Sequence, residues 1–533
     1  MAAKRKYPAG VQSFEKLRTE GYIYVDKTEI IYRMVSEGGP YFLSRPRRFG
    51  KSLLISTLAA VFEGRRDLFE AFTTEYGIEQ PQLYIATTDW KWDKYPVFRF
   101  DFSQGDLHDI EQLDRLIDFT LGTYEKQYGI APEVRDPNIR MITLLRTAHS
   151  QTGKRCVVLV DEYDNFILHS LGDKEKTELA RRRFQDVFGP LKSEDDHLQF
   201  VFITGISKFS QMGIFSKLNN LTNISMQPIY DTICGISEEE LTTQLHQDIE
   251  LLGQANGLSY DEQLAEVKQM YDGYHFSERM TDMYNPYSLI NALKAQKVAP
   301  YWFDRGTSSA LIEMLAQMPP IDDAELEGIQ LPDSAFDLPF ESFDEPLPII
   351  YQSGYLTIKD FWKYGGTSAY TLGFPNTEVR KGFADCLFRH VVGKQMSVKQ
   401  TSVFYLAYNK FMLTANLADF IESLKTFFAG VPYHLDNHNE HHYHALLYTL
   451  LTSFGADIRC EEPSAMGRAD LVLKMPKGIY IMELKYDGTA DEALKQIVAK
   501  GYADKYAHDG RPITKVGISF SSEQRNITDW KAE

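Results

Sequence analysis

The stretch GRADLVLKMPKGIYIMELKYDG, Gly467 to Gly488, decides how the C-terminal part of this chain is read. Leu471 to Leu473 is a short apolar run, Met475 to Gly478 reads as a turn containing Pro476, and Ile479 to Leu484 is apolar again. Two such runs across a turn predict a β-hairpin. Residues two apart on a strand share a face, so Glu483 and Lys485 project together, and correct register sets Asp470 beside Glu483. Two carboxylates suit the hard cation Mg²⁺, while a neighbouring ammonium can orient or deprotonate a water and offset charge on a phosphate. Glu-x-Lys is also a common surface ion pair, so the flanks must decide.

Upstream, Tyr443, Leu447, Leu450, Leu451 and Phe454 recur at spacings of three and four, which predicts a helix with Glu440 at its start on the same face. Downstream, Ala490 to Tyr506 is helical in pattern, with Ala493, Leu494, Ile497 and Gly501 on one side and Gln496 one turn before Lys500. The order helix, strand, strand, helix, together with Gly467-Arg468-Ala469-Asp470, Glu483-Leu484-Lys485, Gln496-Ile497 and Lys500-Gly501-Tyr502, resembles the PD-(D/E)xK nuclease-like domain found behind an ATPase-like domain in many bacterial proteins, of Bacteroidetes type especially. The resemblance implies that Asp470 and Glu483 hold the metal, that Lys485 positions the nucleophilic water, and that Glu440 and Gln496 assist, with Glu440 a third carboxylate for the ion. Ala469 stands where that family usually has Pro.

The first half carries a second pattern. Tyr41 to Ser44 reads as a strand, Arg45-Pro46-Arg47-Arg48-Phe49-Gly50-Lys51-Ser52 as a loop, and Leu53 to Glu63 as a helix. A phosphate loop needs that order: backbone N–H groups cradle the anion, Lys51 reaches the β and γ phosphates, and the Ser52 hydroxyl ligates Mg²⁺. Arg45 departs from the GxxxxGK[ST] pattern by replacing its first Gly, so a merely basic loop is the alternative. Arg155 to Glu162 then supplies an unbroken apolar strand ending in two acids, with Asp161 placed to hold Mg²⁺ through water and Glu162 to activate the attacking water. Leu198 to Lys208 is a further strand, and Thr204 or Ser207 at its end is the candidate γ-phosphate sensor.

The segments Tyr24-Val25-Asp26-Lys27-Thr28, Leu43 to Ser52, Val160-Asp161-Glu162-Tyr163-Asp164 and Thr204-Gly205-Ile206-Ser207 resemble the bacterial AAA-ATPase-like domain over roughly residues 6 to 230. That resemblance implies ATP binding by residues 45–52 with Asp161 and Ser207. Asp26 and Lys27 are expected to pin the N-terminal segment. Tyr271 to Phe276 and Tyr284 to Ser288 resemble signature stretches of the same family.

Between these ends, Ser237 with the acids behind it predicts a capped helix, and Asn285-Pro286 punctuates before another. Pro332 to Pro348 reads as an irregular crossing, Ile349 to Ile358 and Tyr370 to Phe374 as a small sheet, and Glu378 to Gly430 as helical. Arg305 is a candidate finger arginine or a surface ion pair. His438 and His442 have helical ligand spacing, yet no Cys or HExxH pattern accompanies them, so His434, His438, His441, His442 and His444 are expected at the polar surface.

The expected fold class is α/β: a P-loop NTPase parallel-sheet domain over 1–235, a mainly helical lid or wing over 236–375, a helical bridging segment over 376–430, and a PD-(D/E)xK α/β nuclease fold over 431–533. The formal charge of −17 argues against a general nucleic-acid coat, so a nuclease must rely on local basic patches. Four scattered cysteines suggest neither a disulfide framework nor a zinc ribbon, and no apolar run approaches the roughly 20 residues of a membrane span. A cytoplasmic protein is expected. ATP and Mg²⁺ are the implied cofactors, with Mn²⁺ an alternative at the nuclease site; the implied partner is nucleic acid, DNA before RNA, with homo-oligomerisation open. Together these suggest a nucleotide-controlled nuclease used in defence or in handling mobile elements. The alternative is an ATP-binding signalling or assembly protein whose C-terminal domain binds nucleic acid or protein without cutting.

Overall fold

Five parallel strands form the N-terminal sheet in the computed structural model, which describes residues 6–103, 109–131, 134–170, 173–207, 220–302, 326–332, 347–364, 367–388, 398–430, 440–454, 456–464 and 466–533. In chain order these are β1 (Gly39–Ser44), β2 (Val97–Asp101), β3 (Cys156–Asp161), β4 (Leu198–Gly205) and the short β5 (Thr222–Asn223), arranged β2-β3-β4-β1-β5. Every residue of β3 is buried, the mark of a parallel strand covered on both faces, which is why it shows no polar alternation. The helix α1 (Lys51–Phe62) follows β1 directly and starts two residues earlier than its apolar pattern suggests. Its N-cap is Gly50, whose φ of +93° few other residues would adopt. Helices α2 (Ile110–Gln127) and α3 (Pro137–Thr152) lie between β2 and β3 in the chain; Asp109 and Asp136 cap them, and Pro137 occupies the first turn of α3, where a missing N–H costs nothing.

By contact density the chain divides into two units, Met1–Met314 with Gly328–Glu378, and Leu315–Glu327 with Val379–Glu533. In the first, the sheet is followed by α4 (Glu238–Gln244), α5 (His246–Asn256), α6 (Tyr260–Tyr271) and α7 (Pro286–Ala295). Ser237 and Glu240 form the reciprocal capping box its sequence predicts, and Asn285 caps α7 with Pro286 behind it. Leu241, Ile249, Leu252, Val267, Tyr271 and Leu289 bury these helices against one another. Lys27 reaches Glu240 at 2.5 Å, and Asp26 accepts from the backbone of Thr28 and Tyr84, so both tie the N-terminal segment down.

The small sheet of this unit corrects the sequence-based expectation. Leu347–Gln352 is helical, and the strands are β6 (Ile329–Pro332), β7 (Thr357–Tyr364) and β8 (Thr367–Gly373), antiparallel in the order β6-β8-β7. The apolar run from Ile349 does not separate a buried helical turn from a strand by itself. Residues 333–346 and Arg305 lie outside the described residues.

In the second unit, helices α8 (Thr377–Phe388), α9 (Val398–Thr414), α10 (Leu417–Ala429) and α11 (Glu440–Ser453) precede a mixed sheet. Its strands are β9 (Asp457–Ser464), β10 (Gly467–Met475), β11 (Gly478–Tyr486), β12 (Ile513–Ser521) and β13 (Asn526–Ala532), in that spatial order, with α12 (Ala490–Ala499) between β11 and β12. The predicted hairpin is present: β10 and β11 pair antiparallel from Leu471↔Met482 to Met475↔Gly478. Sequence reading did not find strand β9, because its alternation rests on two apolar residues, Ile458 and Cys460, among charged ones. Helix α12 stops at Ala499 rather than Tyr506, since Gly501 turns at φ +59° and a short 3₁₀ turn follows. One sheet face buries Leu471, Leu473, Met482 and Leu484 with Leu424, Leu447 and Leu451 of the helices; the other buries Val472, Ile479 and Ile481 with Leu494 and Ile497 of α12.

Candidate functional site

Ser44, Asp101, Asp161 and Gly205 end four neighbouring parallel strands at one edge of the N-terminal sheet, the edge where open α/β sheets bind ligands. A cleft of about 550 Å³ opens there, lined by Arg47, Arg48, Gly50, Lys51, Ser52, Ser103, Glu162 and Asn165. Beside it an apolar hollow of about 100 Å³ is walled by Pro8, Ile23, Val25, Leu53, Ile233 and Ile290. The Lys51 ammonium is buried and donates to the carbonyls of Arg45 and Pro46, each at 2.9 Å. Burial pulls its pKa down, against the opposing fields of Glu162, Asp161 and Asp164. The Ser52 hydroxyl hydrogen-bonds Asp161, whose Oδ1 is buried with no hydrogen-bond partner among the described residues. Burial raises the pKa values of both Asp161 and Glu162. An orphaned carboxylate oxygen beside a serine hydroxyl and a phosphate loop suits a hydrated divalent cation. Glu162 itself sits at φ +49°, a strained conformation of the kind that gathers at functional sites.

Several of the proposed nucleotide contacts are engaged elsewhere. The Arg45 guanidinium is 2% exposed and donates to Ser44 O, Ser225 O and Tyr230 O while lying 4.0 Å from the Phe276 ring centre. Its φ is not positive, so the position does not need the Gly that usual P-loops carry. Phe49 is in the core, packed edge-on against Tyr274 and Phe276. Tyr274 and Phe276 thereby brace the loop from behind. Ser207 is fully buried, and its hydroxyl and N–H both go to Asp164 Oδ2, at 2.7 and 2.6 Å; Thr204 donates to Leu43 O. Buried polar groups seek such partners, and these were too distant in sequence to foresee. Pro46 packs where a side chain on Gly354 would go, and Arg48 donates to Tyr301 O and Trp302 O over the Tyr287 ring.

Restoring the usual pattern should therefore do harm. Arg45→Gly deletes three hydrogen bonds to carbonyls and a cation–π contact, so a stability loss of about 2–4 kcal/mol is expected in denaturant unfolding, with no gain in nucleotide affinity by calorimetry.

Asp101 is the residue that sequence reasoning missed here. It lies in register beside Asp161 and accepts from the N–H and hydroxyl of Ser103. The signal was present in Val97-Phe98-Arg99-Phe100-Asp101, an apolar strand ending in an acid like the one ending at Asp161.

In the C-terminal sheet, Asp470, Glu483 and Lys485 share the face covered by α12, as the strand period requires. Lys485 Nζ is 3.2 Å from Glu483 Oε1, and Asp470 Oδ2 accepts from Leu484 N at 2.7 Å. Glu483 is wholly buried, and its Oε2 has no hydrogen-bond partner among the described residues. Burial and then the Asp470 charge push its pKa up to about 7, with Lys485 opposing. That shift corresponds to about 3 kcal/mol against the ionised form, which the flanking apolar burial, roughly 1.5–3 kcal/mol per side chain, offsets. Two adjoining carboxylates, one with a buried oxygen lacking a donor, are a donor set that a divalent cation fits.

Gln496 lies on α12, and its amide reaches Tyr502 Oη at 3.5 Å. Glu440 is the first residue of α11, but its side chain and those of His441 and His442 are outside the described residues, as are His434 and His438. His444 is not at the surface as expected: it is 4% exposed, and its Nε2 lies 2.7 Å from Asp470 O. Its place within the apolar stripe of Tyr443 and Leu447 was the available sign.

A P-loop sheet and a carboxylate-bearing mixed sheet on one chain define an ATPase-like protein with a nuclease-superfamily domain. Residues 8–215 match the family described as predicted AAA-ATPase, and residues 438–530 match the PD-(D/E)XK nuclease superfamily. A protein of Azotobacter chroococcum mcd 1, described as an uncharacterized protein in the vnfD 5′ region, is 33% identical over 545 residues, covering 100% of this chain and 99% of that one. The chain belongs to the family of that protein, combining an AAA-ATPase-like domain with a C-terminal PD-(D/E)XK nuclease domain. No described helix is long and apolar enough to cross a membrane.

Proposed function

We propose that this protein is a nucleotide-controlled, Mg²⁺-dependent nuclease that cuts DNA. The observation that carries the reading is Glu483, a buried carboxylate with one oxygen lacking a donor among the described residues, set beside Asp470 and Lys485. Asp470 and Glu483 hold the ion, joined by Glu440 from the start of α11; Lys485 orients the attacking water; Gln496 lies along the path of the strand. A bound Mg²⁺ or Mn²⁺ supplies Lewis acidity at the scissile phosphate. Lys485 also compensates the charge that Glu483 gains on losing its proton.

At the other end, Lys51 and the N-terminus of α1 take the phosphates of ATP, Ser52 and Asp161 hold its Mg²⁺, and Glu162 directs the water. The apolar hollow beside the cleft accommodates the base. Arg47 and Arg48 lie at the cleft wall. Nucleotide binding and hydrolysis there modulate a basal activity of the nuclease site.

The test is cleavage by the purified full-length chain. Single- and double-stranded DNA and RNA are incubated with Mg²⁺ or Mn²⁺, with and without ATP, and with EDTA. DNA cleavage that requires metal and changes with ATP is expected. Nucleotide-dependent assembly with no cleavage of any substrate would instead establish the signalling alternative.

A further inference from the structure

We propose that His444 is a positioning residue for the nuclease site, holding the Asp470 backbone from the opposite face of the sheet; this rests on the nuclease reading above. The β10–β11 ladder ends at Leu471↔Met482, one residue short of Asp470. Just beyond that end the backbone N–H of Leu484 donates to the Asp470 carboxylate. The Asp470 carbonyl is taken by His444 Nε2 at 2.7 Å. A carbonyl only accepts, so Nε2 is the nitrogen that donates here. Cys460 Sγ lies 3.0 Å from Nε2 and 3.5 Å from Nδ1, and Cys460 is the β9 register partner of Leu471.

His444 thus contacts β10 at Asp470 and β9 at Cys460, while α11, which carries it, packs on the face away from α12. Asp470 is gripped at its carbonyl from one face and at its carboxylate on the other. His444 is also one helical turn beyond Glu440, so the same imidazole sets where α11 begins relative to the metal-holding strand. On its other edge β10 stays paired with β9 on both sides of Asp470, through Cys460↔Leu471 and Glu462↔Ala469, and the imidazole adds a hold on the Asp470 carbonyl where the β11 ladder has stopped; ion affinity depends on ligands held in place.

The experiment measures Mn²⁺ binding to the full-length protein by electron paramagnetic resonance, with Asp470→Asn as the baseline for other sites. Partners behind metal ligands are typically worth about 10–100-fold, so His444→Ala is expected to weaken the Asp470-dependent Kd about tenfold, and His444→Gln, whose amide can donate from the Nε2 position, to recover most of it. If alanine prevents folding, His444→Phe, which fills the space without donating, replaces it. Wild-type affinity in a folded variant lacking the donor overturns the proposal, as does failure of a folded His444→Gln to recover binding. Absence of Asp470-dependent Mn²⁺ binding in the wild type, together with no cleavage, overturns the nuclease reading itself and this inference with it.

Discussion

Glu483→Gln is expected to abolish phosphodiester cleavage while the protein remains folded. The substitution keeps the side chain's shape but replaces a metal-holding oxygen with an amide that cannot carry charge. A bound ion supplies several kcal/mol of charge stabilisation; losing about 4 kcal/mol slows the reaction about 10³-fold. Stability should move the other way. The Glu483 carboxyl is buried, with a folded-state pKa of about 7 against an ordinary 4.5, so folding favours its neutral form. The stability associated with that proton is complete below pH 4.5 and is lost as pH rises through about 7. With metal chelated, Glu483→Gln should therefore melt above wild type at pH 8 and close to it at pH 5. Mg²⁺ should narrow that gap, because the ion compensates the buried charge. The same proton competes with the metal, so wild-type affinity should rise with pH up to about 7 and then level off. A Glu483→Gln protein that cuts as well as wild type would end the assignment.

Lys51→Ala is expected to remove nucleotide binding and, with it, any response of cleavage to ATP. Lys51 is a buried cation of the loop, facing Asp161, Glu162 and Asp164, and its N–H donors are held by two loop carbonyls. A phosphate draws on those donors, and removing one strong donor from a preorganised anion site typically costs about 10²–10³-fold. The loop should also loosen, since Arg45 O and Pro46 O lose their partner, at about 1–3 kcal/mol each if left unsatisfied. Calorimetry with ATP and Mg²⁺ reads the first effect, and thermal melting reads the second. Full affinity in a Lys51→Ala protein would remove the nucleotide from the proposed mechanism. Basal, metal-dependent cleavage by this variant should persist, which separates the switch from the cutting site.

The two motifs were legible because each is local. Lys51 and Ser52 follow a strand and open a helix within a dozen residues, and Asp470 and Glu483 flank one turn, so a strand's two-residue period suffices to orient them. The pattern misled wherever a side chain's partner is remote. Arg45 reads as a nucleotide contact until Ser225 and Tyr230, 180 and 185 residues away, claim its guanidinium. Ser207 reads as a sensor until Asp164, 43 residues earlier, takes its hydroxyl.

Sequence by itself determined the class of protein: an α/β chain with a phosphate loop before an apolar strand ending in acids, and a carboxylate hairpin near its end. Those features depend on backbone period and on which residue types chemistry requires. Tertiary structure alone decided the strand order that sets Asp101 beside Asp161, the burial that leaves Glu483 short of a donor, and the imidazole behind Asp470. Desolvation and hydrogen-bond satisfaction depend on what surrounds a group in space, and no spacing rule along the chain encodes that.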